Sequence, residues 1–317
     1  MNIVILDGKT TNPGDITWEP LEALGSVTYY DNTPAELVTE RAKNADAIIM
    51  NRIVMSREVM KSLPKLRYIG ALATGYNTID TKAATELGIT VTNIPFYCVE
   101  TVAQLAFSLI LRLCGHVTEL SDTVRSGGWD DAIEMSWKTL PIFELYGKTL
   151  GIVGFGNIGR TVAALGRALG MNILVFNRTP REMPEGYRRT NIEEVFSQSD
   201  VVSIHCALTD DTRGLVDRKL LSLMKPTAFL INTSRGAVIN EQHLADALNS
   251  GLIAGAGLDV MIKEPPECDN PLLSAKNCVI TPHIAWASRD ARQRLVKIVA
   301  DNLRSYLEGN TVNSVNS

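Results

Sequence analysis

Three glycines in the run Gly154-Phe155-Gly156-Asn157-Ile158-Gly159 stand where a strand hands over to a helix, an arrangement that few folds accommodate. An apolar run, Leu150 to Val153, leads in, and a helical pattern from Ile158 to Leu169 leads out, closing on Gly170 as a residue suited to a helix C-cap. A further strand-like run, Ile173 to Phe176, completes a βαβ unit. In such a unit the first glycine makes the tight turn, the second lets backbone approach a pyrophosphate, and the third lets the helix pack closely on the strand. The helix start adds amide donors and partial positive charge. A bare GxGxxG is a weak signal; the strand before it and the helix after it are what predict a dinucleotide site on Gly154, Gly156, Asn157, Ile158 and Gly159.

The rest of the chain points to the same α/β class. Short β-branched runs alternate with amphipathic helical stretches, the pattern of parallel sheets covered on both faces. Strands are predicted near Ile3–Leu6, Val27–Tyr30, Ala47–Met50, Tyr68–Ala71 and Thr90–Thr92, with helices at Pro34 to Lys43 and Thr81 to Leu87, giving a small doubly wound, flavodoxin-like domain. A second set at Thr149–Val153, Ile173–Asn177, Val201–His205, Ala228–Asn232, Gly255–Asp259 and Val279–Thr281 gives a Rossmann-type domain. Between them, Val99 to Val124 reads as one long helix, apolar around its circumference and therefore buried, in part against a second subunit. Arg125 to Trp137 breaks the periodicity and reads as a loop or arm. A late helix, Ala291 to Leu307, followed by a strand-like Thr311-Val312, is expected to return to the first domain. The expected organisation is a substrate-binding domain of residues 1–98 and 285–317, with a dinucleotide-binding domain, 99–284, inserted into it.

A chain of 317 residues suits two domains, each with its own core. No apolar run approaches the roughly 20 residues of a membrane-spanning helix, and no export signal precedes Asn2-Ile3-Val4-Ile5-Leu6. A net charge of −4 without any block of like charge argues against nucleic acid as a partner. Five cysteines without a CxxC pair read as reduced thiols of a cytoplasmic protein, and no metal is expected.

The end of the second strand in a dinucleotide unit sorts the cofactors, because an Asp or Glu there accepts hydrogen bonds from the ribose of NAD. Here Asn177-Arg178-Thr179 occupy that place. With no carboxylate to repel a 2′-phosphate, and with Arg178 able to pair with it, the reading is NAD(P)H with NADP favoured over NAD. Three further clusters lie just past predicted strands, where ligands gather in open α/β sheets. They are Asn232-Thr233-Ser234-Arg235-Gly236, Gly257-Leu258-Asp259-Val260 continuing to Glu264, and Thr281-Pro282-His283-Ile284-Ala285-Trp286. Reduction of a 2-oxo acid needs a cation for its carboxylate and carbonyl and a proton donor for the oxygen that becomes a hydroxyl. Of the four histidines only His283 has this setting.

These clusters, together with the glycine motif, resemble the signatures of the D-isomer-specific 2-hydroxyacid dehydrogenase family over essentially the whole chain. The resemblance implies that Arg235 binds the substrate carboxylate or carbonyl, that His283 is the proton donor, and that Glu264 holds His283 and raises its pKa. It also implies that Ala73-Thr74-Gly75-Tyr76-Asn77 is the loop whose amides grip the substrate carboxylate, with Thr74, Gly75, Tyr76 and Asn77 as substrate contacts. Asp259 would meet the nicotinamide carboxamide, with Thr233 and Ser234 beside it. His205, Cys206 and Ala207 would lie under the adenosine. The family usually carries Pro at the place of Ala207, and its absence puts the rigidity of that loop in doubt.

Within the family, Asn93-Ile94-Pro95, Val102-Ala103-Gln104 and the run His283 to Ser288 are similar to the glycerate dehydrogenases, also called hydroxypyruvate reductases. That likeness implies hydroxypyruvate as substrate, with glyoxylate second. A short phosphoglycerate dehydrogenase remains a rival; it too would end without a regulatory domain. A corepressor of the same fold that senses nucleotide is a rival from another class, and turnover separates it. A formate dehydrogenase is disfavoured because that group has Gln where Glu264 stands. The apolar helix and the Trp-bearing arm, Trp129 to Trp137, lead to the expectation of a homodimer built on the cofactor domain.

Overall fold

Runs of four apolar residues such as Ala47-Ile48-Ile49-Met50 and Tyr68-Ile69-Gly70-Ala71 are buried along their whole length, as strands covered on both faces must be. The computed structural model describes residues 1–316; Ser317, the last residue of the segment expected to return to the first domain, lies outside them. The chain divides into two units, one of Met1–Cys98 with the residues from Ala287 onward, the other of Val99–Trp286.

The first unit holds a sheet of β1 (Asn2–Ile5), β2 (Ser26–Tyr29), β3 (Ala47–Met50), β4 (Tyr68–Ala71) and β5 (Thr90–Thr92) in the order β2-β1-β3-β4-β5. Every strand pair is parallel. The helix Arg289–Leu307 starts on the Ser288 side chain, which accepts from Ala291 N, and packs on β4, with the Tyr306 ring 5.0 Å from that of Tyr68. Near its start Arg292 forks onto Asp15, Nη1 and Nη2 each 2.6 Å from a carboxylate oxygen. Thr311-Val312 is not a strand. Instead the tail meets β5 further on: Ser314 bridges Thr92, Val315 N donates to Val91 O at 2.9 Å, and the Asn316 amide oxygen accepts from Val91 N at 2.8 Å while its amide nitrogen donates to Ile89 O, just before the strand, at 2.8 Å.

The second unit holds β6 (Thr149–Val153), β7 (Asn172–Phe176), β8 (Tyr187–Arg189), β9 (Val201–Ile204), β10 (Phe229–Asn232), β11 (Gly255–Leu258) and β12 (Cys278–Ile280). Their order is β12-β11-β10-β9-β6-β7-β8, again with only parallel pairs. Winding reverses between β6 and β9, and a doubly wound sheet binds its ligand outside the carboxyl ends of the strands at that point. Val153 lies opposite Ile204 there, which sets Gly154 beside His205.

The helical pattern from Val99 breaks at His116, whose φ of 46° is left-handed, into Val99–Gly115 and Val117–Arg125, bent 54° from each other. No single helix among the described residues is long and apolar enough to cross a membrane. The first of the two buries Ala106, Leu109, Ile110 and Leu113 in the core with its own sheet, while Leu111 on the same helix stays exposed. The stretch read as an arm is largely a helix, Trp129–Lys138, packed on Val117–Arg125.

Candidate active site

Three chain turns at the carboxyl ends of β10, β11 and β12 carry Arg235, Asp259 with Glu264, and His283. His283 has a φ of 54°, a left-handed conformation uncommon for a residue with a Cβ, so its turn needs support. Asp259 provides it. One carboxylate oxygen accepts from Thr281 Oγ1 at 2.5 Å and Ile284 N at 2.9 Å, the other from Ala285 N at 2.8 Å, and the Asp259 carbonyl accepts from His283 N at 2.8 Å. The Asp259 side chain is buried, and burial pushes its carboxyl above the ordinary range against the opposing pull of those donors. The carboxylate expected at the nicotinamide carboxamide thus holds the histidine turn.

Glu264 lies 2.6 Å from His283 Nδ1 through one carboxylate oxygen, while its other oxygen accepts from Met261 N at 3.1 Å. The ring is therefore gripped at Nδ1, and Nε2 has no protein partner among the described residues. Arg235 is exposed, and no carboxylate stands within ion-pair distance of it among the described residues. Its turn is shaped by buried Asn232, whose amide oxygen accepts from Ser234 N and Oγ at 2.9 Å and whose amide nitrogen donates to the Arg235 carbonyl at 3.0 Å. Gly236 is the contact between turns: a Cβ there would lie 2.0 Å from the Met261 carbonyl carbon, so only glycine lets the Arg235 turn back onto the chain leading to Glu264.

On the nucleotide side, Gly154 takes a φ of 98° and leaves no room for a Cβ against His205 and Cys206. A Cβ on Gly159 would sit 2.1 Å from the Gly154 carbonyl oxygen, whereas one on Gly156 would meet nothing within 4 Å. That open space lies at the start of the helix Asn157–Ala168, which has Gly156 as its cap residue and no side-chain cap bond. Nearby, after β10, Thr233 Oγ1 is buried without a hydrogen-bond partner among the described residues. An open glycine backbone, unpaired helix-start amides and an orphan hydroxyl fit a bound dinucleotide.

Asn177, after β7, is already engaged: its amide oxygen accepts from Phe155 N at 2.9 Å and its amide nitrogen donates to Thr179 O at 2.7 Å. Arg178 Nη1 lies 2.9 Å from Asp211, and both side chains are exposed. Half-buried His205 bonds Ser203 Oγ through Nε2 at 2.8 Å, and burial pushes its imidazole down to about 3, so it stays neutral and is no rival to His283 as proton donor. The loop after it is clamped despite lacking a proline, since Thr212 Oγ1 donates to the Ala207 carbonyl at 2.7 Å and accepts from Thr209 N at 2.7 Å.

The loop Thr74 to Asn77 belongs to the first unit, after β4. Its base is stitched to the segment after β5: Ile94 N donates to Ala73 O at 3.0 Å, Thr74 Oγ1 to Ile94 O at 2.8 Å, and Asn93 Nδ2 to Thr74 O at 2.8 Å. The amides of Gly75, Tyr76 and Asn77 have no protein acceptor among the described residues, as an anion-binding loop requires. Sequence reading missed Asn232, Gly236, Thr281 and Asp211 as contributors. Asn232 and Gly236 stand inside one of the clusters past a strand, but Asn232 matters through the turn it closes on Ser234 and Arg235, and Gly236 through its approach to Met261 in another turn.

Residues 107–285 match the model of the D-isomer specific 2-hydroxyacid dehydrogenase NAD binding domain. A protein of Blautia hydrogenotrophica named hydroxypyruvate reductase is 44% identical over 321 residues, covering 100% of both chains. A glycerate dehydrogenase of Methylorubrum extorquens is 37% identical over 285 residues, covering 89% of each. Among solved structures, an acyclic imino acid reductase in complex with NADPH and D-Arg matches with a TM-score of 0.87 at 31% identity, covering 99% of this chain and 100% of that one.

Proposed function

The chain belongs to the D-isomer specific 2-hydroxyacid dehydrogenase family, and we propose that its own reaction is reduction of hydroxypyruvate to D-glycerate, with glyoxylate as a second substrate. The observation that carries the mechanism is the 2.6 Å contact between Glu264 and His283 Nδ1, which leaves Nε2 as the ring's working atom. The nicotinamide cofactor supplies the hydride when bound. Arg235, which has no carboxylate partner among the described residues and donates from Nη1 to the Ser234 carbonyl at 2.7 Å, offers its remaining donors to the substrate carbonyl and carboxylate and draws charge onto the carbonyl oxygen. His283 Nε2 gives its proton to that oxygen as it becomes the hydroxyl, and Glu264 keeps the ring in place through Nδ1. We assign the amides of Thr74, Gly75, Tyr76 and Asn77 to the substrate carboxylate. The substrate choice is supported by the resemblance and by the names of the relatives. A panel of 2-oxo acids tests it: kcat/KM is expected to be highest for hydroxypyruvate and next for glyoxylate. A preference for the phosphorylated analogue of hydroxypyruvate would instead favour a short phosphoglycerate dehydrogenase.

For the cofactor we assign NADP over NAD, because no carboxylate ends β7 and Arg178 stands there to meet a 2′-phosphate. A cytoplasmic homodimer completes the proposal. Its support is an apolar surface of the second unit, where Val117, Trp129, Trp137, Ile142 and Tyr146 are exposed and Leu111, Val117, Phe143, Tyr146 and Leu169 line a shallow hollow. Sedimentation at micromolar concentration should give twice the chain mass, and a Val117→Asp, Tyr146→Asp double variant should give monomer. A wild-type monomer at that concentration would remove the dimer.

A further inference from the structure

We propose that Asp211 sets how strongly this protein prefers NADPH to NADH, by competing with the cofactor's 2′-phosphate for the Arg178 guanidinium. The inference rests on the assignment of Arg178 to that phosphate and deepens it. In a dinucleotide unit the acidic residue that selects against NADP ordinarily stands at the end of the second strand. Here that place is Asn177, whose side chain is occupied by Phe155 N and the Thr179 carbonyl. A carboxylate nevertheless reaches the same neighbourhood from a different element. Asp211 comes from the loop after β9 and lies 2.9 Å from Arg178 Nη1.

The loop that brings it is not a loose tether. Thr212 Oγ1 donates to Ala207 O, Thr209 N donates to Thr212 Oγ1, and Arg213 N donates to Thr209 O at 3.0 Å, so the backbone on both sides of Asp211 is held. A second guanidinium, Arg189 on β8, reaches the Asn177 carbonyl at 3.4 Å, which makes this turn a cationic spot where Asp211 is the carboxylate that pairs with Arg178 among the described residues. Arg178 and Asp211 are 72% and 77% exposed, and an ion pair in that much water is weak and readily exchanged. A phosphate can therefore take Arg178, but Asp211 stays close by and repels it.

The consequence differs from that of a strand-end carboxylate. Asp211 bonds the arginine rather than occupying the ribose side of the turn, so it opposes the phosphate without helping the hydroxyl. It lowers NADPH affinity and leaves NADH nearly untouched, which narrows the preference instead of reversing it. Removing one negative charge a few ångströms from a phosphate of nearly two charges, in water and moderate salt, is worth about a three- to ten-fold change.

The test is direct measurement of NADPH and NADH dissociation constants by nicotinamide fluorescence, without substrate, on the wild type, Asp211→Asn and Arg178→Ala. Asp211→Asn should tighten NADPH about three- to ten-fold and change NADH by less than about two-fold, with the gain shrinking as salt is raised. Arg178→Ala should weaken NADPH more than NADH. If Arg178→Ala does so but Asp211→Asn leaves the ratio of the two constants unchanged, the phosphate assignment stands and the role of Asp211 is wrong. If Arg178→Ala weakens both cofactors equally, the phosphate assignment falls and this inference with it.

Discussion

Replacing His283 by Asn is expected to lower kcat by about 10² to 10⁴ while cofactor binding is retained. Asn is the informative replacement because the position has a φ of 54°, and Asn tolerates the left-handed region better than most residues. Loss of rate then reports loss of the proton donor rather than collapse of the turn. Glu264 should behave differently at its two replacements. Gln can still accept from His283 Nδ1 through its amide oxygen and should cost less than Ala, which releases the ring altogether. Arg235→Lys keeps a charge but loses the planar fork, so both KM and kcat should suffer. Steady-state kinetics with a cofactor titration on each variant checks the set. A His283→Asn enzyme within about ten-fold of wild-type kcat would mean that the proton comes from elsewhere.

Much of this was legible because it lies in local pattern. The runs Ala47–Met50, Tyr68–Ala71 and Thr149–Val153 are strands over the same residues in the sequence reading and in the structure, since a buried parallel strand is apolar nearly throughout. The glycine motif carried its own context. What escaped has exposed or tertiary causes. β8, Tyr187-Arg188-Arg189, is a polar edge strand with no periodic signal. His116 interrupts a pattern that is helical on both sides of it, and nothing in the apolar spacing marks one left-handed residue. Trp129–Lys138 has two tryptophans and few buried positions, so it lacks the stripe of a core helix. Thr311-Val312 looks like a strand by residue type, yet the contacts to β5 come later, from Ser314, Val315 and Asn316. In the site, Asp259 and Ile284 are 25 residues apart, and no spacing rule connects a carboxylate to amides at that distance.

That connection supports the other large expected effect. Asp259→Ala removes the acceptor for three donors, Thr281 Oγ1, Ile284 N and Ala285 N, in a place that water reaches poorly. Each unsatisfied donor costs about 1 to 3 kcal/mol, so the second unit should lose several kcal/mol of stability, within the range of severe single substitutions. The turn that holds His283 in its left-handed conformation would relax at the same time, and misplacement of a reacting group by about 1 Å can cost some 10² in rate. Asp259→Asn separates this role from contact with the cofactor. An amide has one acceptor oxygen and one donor nitrogen, so either the Ile284 and Thr281 side or the Ala285 side must face an N–H with an N–H. If Asp259 holds the histidine turn, Asn should lower the unfolding midpoint and kcat together, with the cofactor dissociation constant changing little. If Asp259 acts chiefly on the nicotinamide carboxamide, the Asn variant should stay as stable as wild type and lose cofactor affinity instead. Thr281→Val, which removes only the hydroxyl donor and keeps the side-chain shape, should leave both nearly intact, because Asp259 then still accepts from the two amides that define the turn.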